Sequence, residues 1–398
     1  MAGNALSDDP AVAASAITGL RGMGRVGLDA LFTKYAAEIE RFETTGVADA
    51  NWHRIASALD AVAQQKDAYA SRLYWYTDLE TAKREADSKN KPILSLRLLG
   101  NLNEEFSCAN SRLFRAVLYP NADVSKYLRE NYVLHWRSVR PAPRITIDFG
   151  DGRKIERTLT GNSIHYILDE NGAVIDALPG LYSPKVFLKY VTQGREVNSA
   201  AAGLPRTKPD LALMKYRKAG YDEIKAKRDK GVEISGVKLT EPEAGTTAIL
   251  AAPRAMAKMA VVDEYSILRV FDDFAKFEPV INFADWNKLA RLYSPSPKLD
   301  SNSEAFIRRQ NAKTGLSEAE FTQLFAKLES FIALDTTRND FVFHTKIYEW
   351  LNRDPTQTVE ELNTRVYSDI FQTPNTDKWL GLYSSDVYTA LDGNGIIK

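Results

Sequence analysis

Apolar residues between Tyr74 and Gln193 switch repeatedly between two spacings, and that alternation limits the fold more than any other feature of the chain. Residues 92–98, 132–136, 163–168 and 173–177 are short apolar runs of strand length, bounded by turn formers. Between and around them, 78–86, 107–118 and 121–129 carry apolar residues at helical spacing, and Ser183-Pro184 opens a further helix through Phe187, Leu188 and Val191. Residues 145–149 and 154–159, joined across Gly150-Asp151-Gly152, have the signature of a hairpin inserted ahead of the third core strand. Asp148-Phe149-Gly150 resembles a magnesium-binding triplet of kinases, but its place in the hairpin makes it a turn. Strands interleaved with helices predict an α/β domain with a central mixed sheet.

Helical patterns flank this region. In 1–69, Ala30-Leu31, Tyr35, Ile39 and Phe42 form one apolar stripe, and Trp52, Ile55, Leu59 and Val62 form another. Helices with one apolar face bury it only by packing on a neighbour. Gly22-Met23-Gly24-Arg25-Val26-Gly27 matches the dinucleotide fingerprint in its letters, but the preceding residues read as helix rather than strand, so a helix–turn–helix joint is expected. After a linker at 196–210, residues 211–398 read as mainly helical. Ser317/Glu320 and Thr358/Glu361 are spaced as capping boxes, the first ahead of Phe321, Phe325, Leu328 and Ile332. Residues 232–245 read as a loop or short hairpin, and 379–382 as a segment docking the tail. The expected organisation is 1–69 helical extension, 70–195 sheet domain, 196–210 linker and 211–398 helical domain.

Lysine plus arginine and aspartate plus glutamate number 52 each, so no surplus of positive charge exists to displace counterions from nucleic acid or an anionic membrane. No run of eighteen apolar residues is present, so no membrane span is expected. The N-terminus lacks the pattern of a leader, which points to the cytoplasm, or to the periplasm if a leader peptide has been removed. A single cysteine excludes an intramolecular disulfide and a multi-cysteine metal site, and neither metal nor cofactor is expected.

Several residues together resemble the bacterial thioredoxin-like family. Trp75, Asp78, Leu79, Ala82 and Ala86 precede Lys91-Pro92-Ile93-Leu94. Cys108-Ala109-Asn110-Ser111 stands where the family opens a helix with its redox pair. Val124, Tyr127, Leu128 and Asn131-Tyr132-Val133-Leu134 follow at family spacing. The resemblance implies a thioredoxin-like mixed sheet flanked by the helical extensions, with Cys108 at a helix start where unpaired N–H groups favour thiolate. It also implies two departures. Serine replaces the second cysteine at 111. Ser163, in Gly161-Asn162-Ser163-Ile164, replaces the cis-proline of the substrate loop, and a cis bond there would cost about 3 kcal/mol, so a trans bond is expected.

Two functions follow from that pattern. The first is monothiol disulfide exchange, isomerisation or capture of protein clients. Cys108 would be the nucleophile, Ser111 would tune it, His165 is the candidate base, and Asn162, Ser163 and Ile164 would hold substrate. The alternative is a non-catalytic scaffold for a partner protein or an oligomer. A Cys–His hydrolase is a third reading that lacks an identifiable oxyanion stabiliser. His135 reads as a hydrogen-bonded core residue, and a Cys108/His135/His165 metal site would require all three to converge.

Overall fold

The computed structural model describes residues 1–158, 162–201, 211–239, 283–293 and 297–371, with single positions at 373, 376, 378, 379, 390, 391 and 396. Four helices open the chain: α1 (Pro10–Gly22), α2 (Arg25–Lys34), α3 (Ala36–Thr45) and α4 (Ala50–Ala63). Asp9 caps α1 through the Ala11 N–H at 2.8 Å, and Asp49 caps α4 through the Trp52 N–H at 2.7 Å. Phe42 stacks on Trp52 with ring centroids 3.9 Å apart, joining α3 to α4. The glycine-rich joint is a helix–turn–helix, as expected. A Cβ on Gly27 would stand 1.9 Å from the Leu20 carbonyl oxygen, so that glycine exists for close backbone approach between α1 and α2. Arg21 then ties α1 to the sheet by donating to the carbonyls of Val62 and Trp75.

The sheet elements are β1 (Trp75–Tyr76), α5 (Leu79–Lys89), β2 (Ile93–Leu99), α6 (Ala109–Leu113), α7 (Ala122–Asn131), β3 (Val133–Arg140), β4 (Arg144–Asp148), β5 (Lys154–Thr158), β6 (Ser163–Leu168), β7 (Val174–Pro179) and α8 (Pro184–Ala201). Five strands form a mixed sheet in the order β1-β3-β2-β6-β7, so the chain is α/β. β1, β3 and β2 run parallel, and β6 and β7 pair antiparallel on the far side. β4 and β5 pair as a separate hairpin. Ser95 lies opposite His135 on β3 and Tyr166 on β6, whereas Leu96 lies opposite Trp136 and His165. Successive side chains point to opposite faces. One face therefore carries Ser95, Arg97, His135 and Tyr166, and the other carries Leu96, Trp136, Ser163 and His165. α8 covers the second face, where Phe187 meets the His165 ring at 5.1 Å.

The helix expected over 107–118 is shorter than its periodicity. Cys108 is the N-cap rather than part of the first turn, α6 ends at Leu113, and a π-helical turn continues through Phe114–Leu118. α8 runs to Ala201, past the expected start of the linker, and residues 202–210 lie outside the described residues.

The helical part comprises α9 (Leu211–Ser235), α10 (Phe283–Tyr293), α11 (Ser301–Gln310), α12 (Glu318–Arg338), α13 (Thr345–Arg353) and α14 (Val359–Arg365). α9 extends through 232–235, where a loop or hairpin is expected, and residues 240–245 lie outside the described residues. Both capping boxes form at the expected residues. π-helical turns follow α12 at Asn339–His344 and α14 at Val366–Ile370. Trp379 is exposed at 47%, and residues 380–382 lie outside the described residues. Among the described residues no helix is long and apolar enough to cross a membrane.

A buried charge cluster fastens this part to β7. His344 Nε2 donates to Asp176 Oδ1 at 2.7 Å, and the Tyr216 and Tyr348 hydroxyls donate to Oδ2 at 2.6 and 2.9 Å. Asp340 stands 3.6 Å from His344 Nδ1, an ion-pair distance. Burial opposes a charged imidazole, but the Asp176 carboxylate, its hydrogen bond and Asp340 outweigh it and hold His344 up at about 9. Burial likewise opposes the Asp176 carboxylate, and His344 with the hydrogen bonds still keeps it below the ordinary 3.8. Arg217 completes the seam by donating to the carbonyls of Val174, Ile175 and Leu351 along the sheet edge.

His344, held above its ordinary 6.5, contributes stability that is full below that pH and is lost as pH rises through about 9. Asp176, held below 3.8, contributes stability that is present above that value and is lost as pH falls through its lower folded value. Urea midpoints are expected to fall along the alkaline limb, and His344→Gln is expected to flatten it. Asp176→Asn, which strands a buried partner, is expected to cost on the order of 3 kcal/mol at neutral pH. An unchanged alkaline limb in His344→Gln would contradict the assignment.

Gly27→Ala is expected to cost about 1–3 kcal/mol by urea unfolding. Gly22→Ala, with nothing within 4 Å of the added carbon, is expected to be neutral or mildly stabilising. Equal effects at the two glycines would contradict the close-approach account.

Candidate functional site

Cys108, Ser111, Asn162 and Ser163 meet at one point, although 108–111 and 162–163 come from distant parts of the chain. Cys108 follows the loop after β2, and its N–H donates to the Leu99 carbonyl at 2.9 Å, which pins the helix start to the strand end. Its Sγ lies 2.8 Å from Ser163 Oγ, 3.5 Å from Ser111 Oγ and 3.7 Å from the Asn162 carbonyl oxygen. Ser111 Oγ lies 2.7 Å from the Cys108 carbonyl oxygen and 2.8 Å from Ser107 Oγ. The single hydroxyl proton of Ser111 is thus directed to those oxygens, and towards the sulfur Ser111 offers its lone pair. The Asn162–Ser163 bond is trans, as expected from the loss of proline, since no peptide bond among the described residues is cis.

The site is closed. Cys108, Ser111, Asn162, Ser163 and Ile164 are all fully or almost fully buried. The lid belongs to the C-terminal part of the chain. The Tyr367 hydroxyl donates to the Asn162 carbonyl at 3.0 Å, and Asn162 Nδ2 donates to Thr373 Oγ1 at 2.7 Å. The π-helical turn after α14 carries Tyr367 to this position. An extended substrate would need the backbone at Ser163, but the Ser163 carbonyl already accepts from the Gly180 N–H at 2.8 Å, and β6 has β2 on one side and β7 on the other. Ile164 lies on the opposite face, beside Arg97.

His165 shares a face with Ser163 but does not bond the sulfur. Its Nε2 pairs with the Tyr119 hydroxyl at 2.8 Å, and its ring contacts Phe114 at 4.5 Å. Burial pushes its pKa down to about 3, so the ring is neutral at ordinary pH. Among the described residues no hydrogen bond links it to Cys108. His135 is almost fully buried and hydrogen-bonded through Nδ1 to Ser95, as expected of a core residue, and it occupies the other face of the sheet. Cys108, His135 and His165 therefore do not converge as metal ligands. Among the described residues no group of three metal-binding side chains is present.

The basic residues near the motif in sequence also separate. Arg97 points to the His135 face and pairs with Glu360 at 2.9 Å. Arg115 reaches back to the Glu105 carbonyl and to Asp67. Sequence reasoning missed Tyr119, Tyr367 and Thr373. Tyr119 could have been marked as a polar ring in an apolar helix run. The other two lie more than two hundred residues from Asn162 and carry no local signal. No family model, curated protein or solved structure matches the chain.

Proposed function

We propose that this chain is a thioredoxin-like protein in which the fold serves as a binding scaffold and Cys108 is a packing group rather than an exchange nucleophile. The order of elements, the parallel pairing of β1, β3 and β2 and the antiparallel pairing of β6 and β7 support the thioredoxin-like part of the reading. One observation carries the rest: the sulfur has no exposed surface, and the C-terminal segment of the same chain occupies the approach to it. Disulfide exchange needs a thiolate in line with an incoming disulfide. A partner protein would instead engage the outer surfaces built by the helical extensions.

The test is alkylation of the folded chain by iodoacetamide near pH 8, followed by intact mass. The expected result is no adduct in the native state and one adduct in concentrated urea. Stoichiometric labelling of the folded protein, or a mixed disulfide formed with oxidised glutathione under native conditions, would overturn the scaffold reading in favour of monothiol exchange.

A further inference from the structure

Charge is balanced over the whole chain but not over every part of its surface. A cleft of about 510 Å³ opens where α3, the short helical turn Ala68–Ser71, α7 and α11 meet. Arg72, Lys126, Arg129 and Arg309 line it, against a single carboxylate, Glu43. Elsewhere on the surface cations commonly stand beside a carboxylate, as Lys218 does with Asp222 at 2.7 Å and Arg308 with Glu318 at 2.8 Å. Among the described residues, none of the four in the cleft does so.

The groups that hold these side chains are neutral. Arg129 Nη1 donates to the Ser71 carbonyl at 2.8 Å. Arg309 donates to the Tyr69 hydroxyl and to the Glu43 main-chain carbonyl, both at 3.4 Å. The Arg72 guanidinium lies over the Phe32 ring, 4.9 Å from its centroid. Lys126 makes no hydrogen bond or ion pair among the described residues. A guanidinium has about five N–H donors, so these contacts orient the arginines and leave most of their donors free. Arg72 and Lys126 are exposed and Arg129 and Arg309 are half-buried, so all four present surface to the cleft.

The cations also act on one another. Burial first, then Arg25 and Arg72, lowers the Arg129 pKa from its ordinary value. Like charges gathered without a counter-charge oppose the compact state, and an anion seated among them relieves that repulsion. Arg72 has a left-handed backbone, with φ at 56°, which glycine or asparagine adopts more readily. The backbone therefore gives no reason for arginine at 72. A carboxylate is satisfied by one guanidinium fork and would leave the other cations uncompensated. A phosphate group carries more charge and accepts from several forks at once. Ala70, Pro120 and Ala305 add small apolar surface beside the cations, with room for an organic substituent.

We propose that this cleft binds the phosphate group of a small soluble phosphate ester or diphosphate, with Arg72, Arg129 and Arg309 donating to its oxygens and Lys126 adding charge. Cys108 and its surroundings take no part in the cleft.

The test is isothermal titration calorimetry of the full chain in phosphate-free buffer, with pyrophosphate, glycerol phosphate and acetate as probes. Pyrophosphate and glycerol phosphate are expected to saturate one site in the submillimolar range, and acetate to bind at least tenfold more weakly. Lys126→Gln removes a charge and no contact, and is expected to weaken pyrophosphate at least threefold. Arg309→Gln is expected to weaken it at least tenfold and Arg72→Asn, which suits the left-handed backbone, at least fivefold. Lys218→Gln, which alters a cation outside the cleft, is expected to leave it unchanged. Should Arg309→Gln fail to fold by circular dichroism, Lys126→Gln and Arg72→Asn decide. The full chain spun with phosphatidylcholine vesicles containing phosphatidic acid should stay in the supernatant. Vesicle binding that Lys126→Gln abolishes would overturn the soluble ligand in favour of a lipid headgroup. No saturable heat with millimolar pyrophosphate, acetate binding as tightly as pyrophosphate, or equal losses in Lys218→Gln and Lys126→Gln would overturn the site itself. So would unchanged affinity in folded Lys126→Gln and Arg72→Asn.

Discussion

The arrangement hangs on one carboxylate. Asp176 sits on the edge strand β7 and receives His344, Tyr216 and Tyr348, groups from α9 and from the helices after α12. A buried carboxylate with a single partner would be expensive. Four donors, counting the Ala177 N–H at 2.7 Å, make it tolerable and set the position of the helices around it. Because those helices are held there, α14 and the turn after it reach over the sheet. Glu360 meets Arg97, Asn363 accepts from the Tyr166 hydroxyl at 3.2 Å, and Tyr367 arrives at Asn162. The lid over Cys108 is thus a consequence of one docking event.

That docking also explains the polar residues within the sheet. Arg97 places a charge in a strand that is apolar apart from Ser95, and it is 1% exposed. It is tolerable because Ser95, His135 and Glu360 surround its guanidinium. Among the described residues, the connection from β3 to β6 holds a hairpin, and α14 from the C-terminal part of the chain covers the face beside Tyr166. A face covered by a late, polar-edged helix differs from one packed by apolar neighbours: it keeps a hydrogen-bonding histidine.

Much of the fold was legible because its signals are local. Asp78 caps α5, Asn121 caps α7, and the two boxes at Ser317 and Thr358 start α12 and α14, each within a few residues of the chain it organises. The Asp151-Gly152 turn and the strand runs at 93–99 and 163–168 are equally local. The meeting of Cys108 with Ser111 and Ser163 is the arrangement expected from the resemblance of the motif residues to a thioredoxin-like pattern. Closure was not legible, since Tyr367 and Thr373 act across more than two hundred residues. Neither were the π-helical turns at 114–118, 339–344 and 366–370, which have no composition of their own. His165 illustrates the same limit. Strand alternation left open whether it would face the sulfur or away from it, and only the approach of Tyr119 decides what its Nε2 does.

If the Asp176 cluster holds the lid, thiol protection at Cys108 must weaken when that cluster is broken. The direct measurement is the rate of Cys108 alkylation in increasing sub-denaturing urea, converted to an opening free energy, for the parent chain and for Asp176→Asn. The account predicts slow opening in the parent and an opening free energy in the variant reduced by the same amount as its stability. Fast labelling of the parent without urea, or equal opening free energies in two folded proteins of different stability, would contradict it.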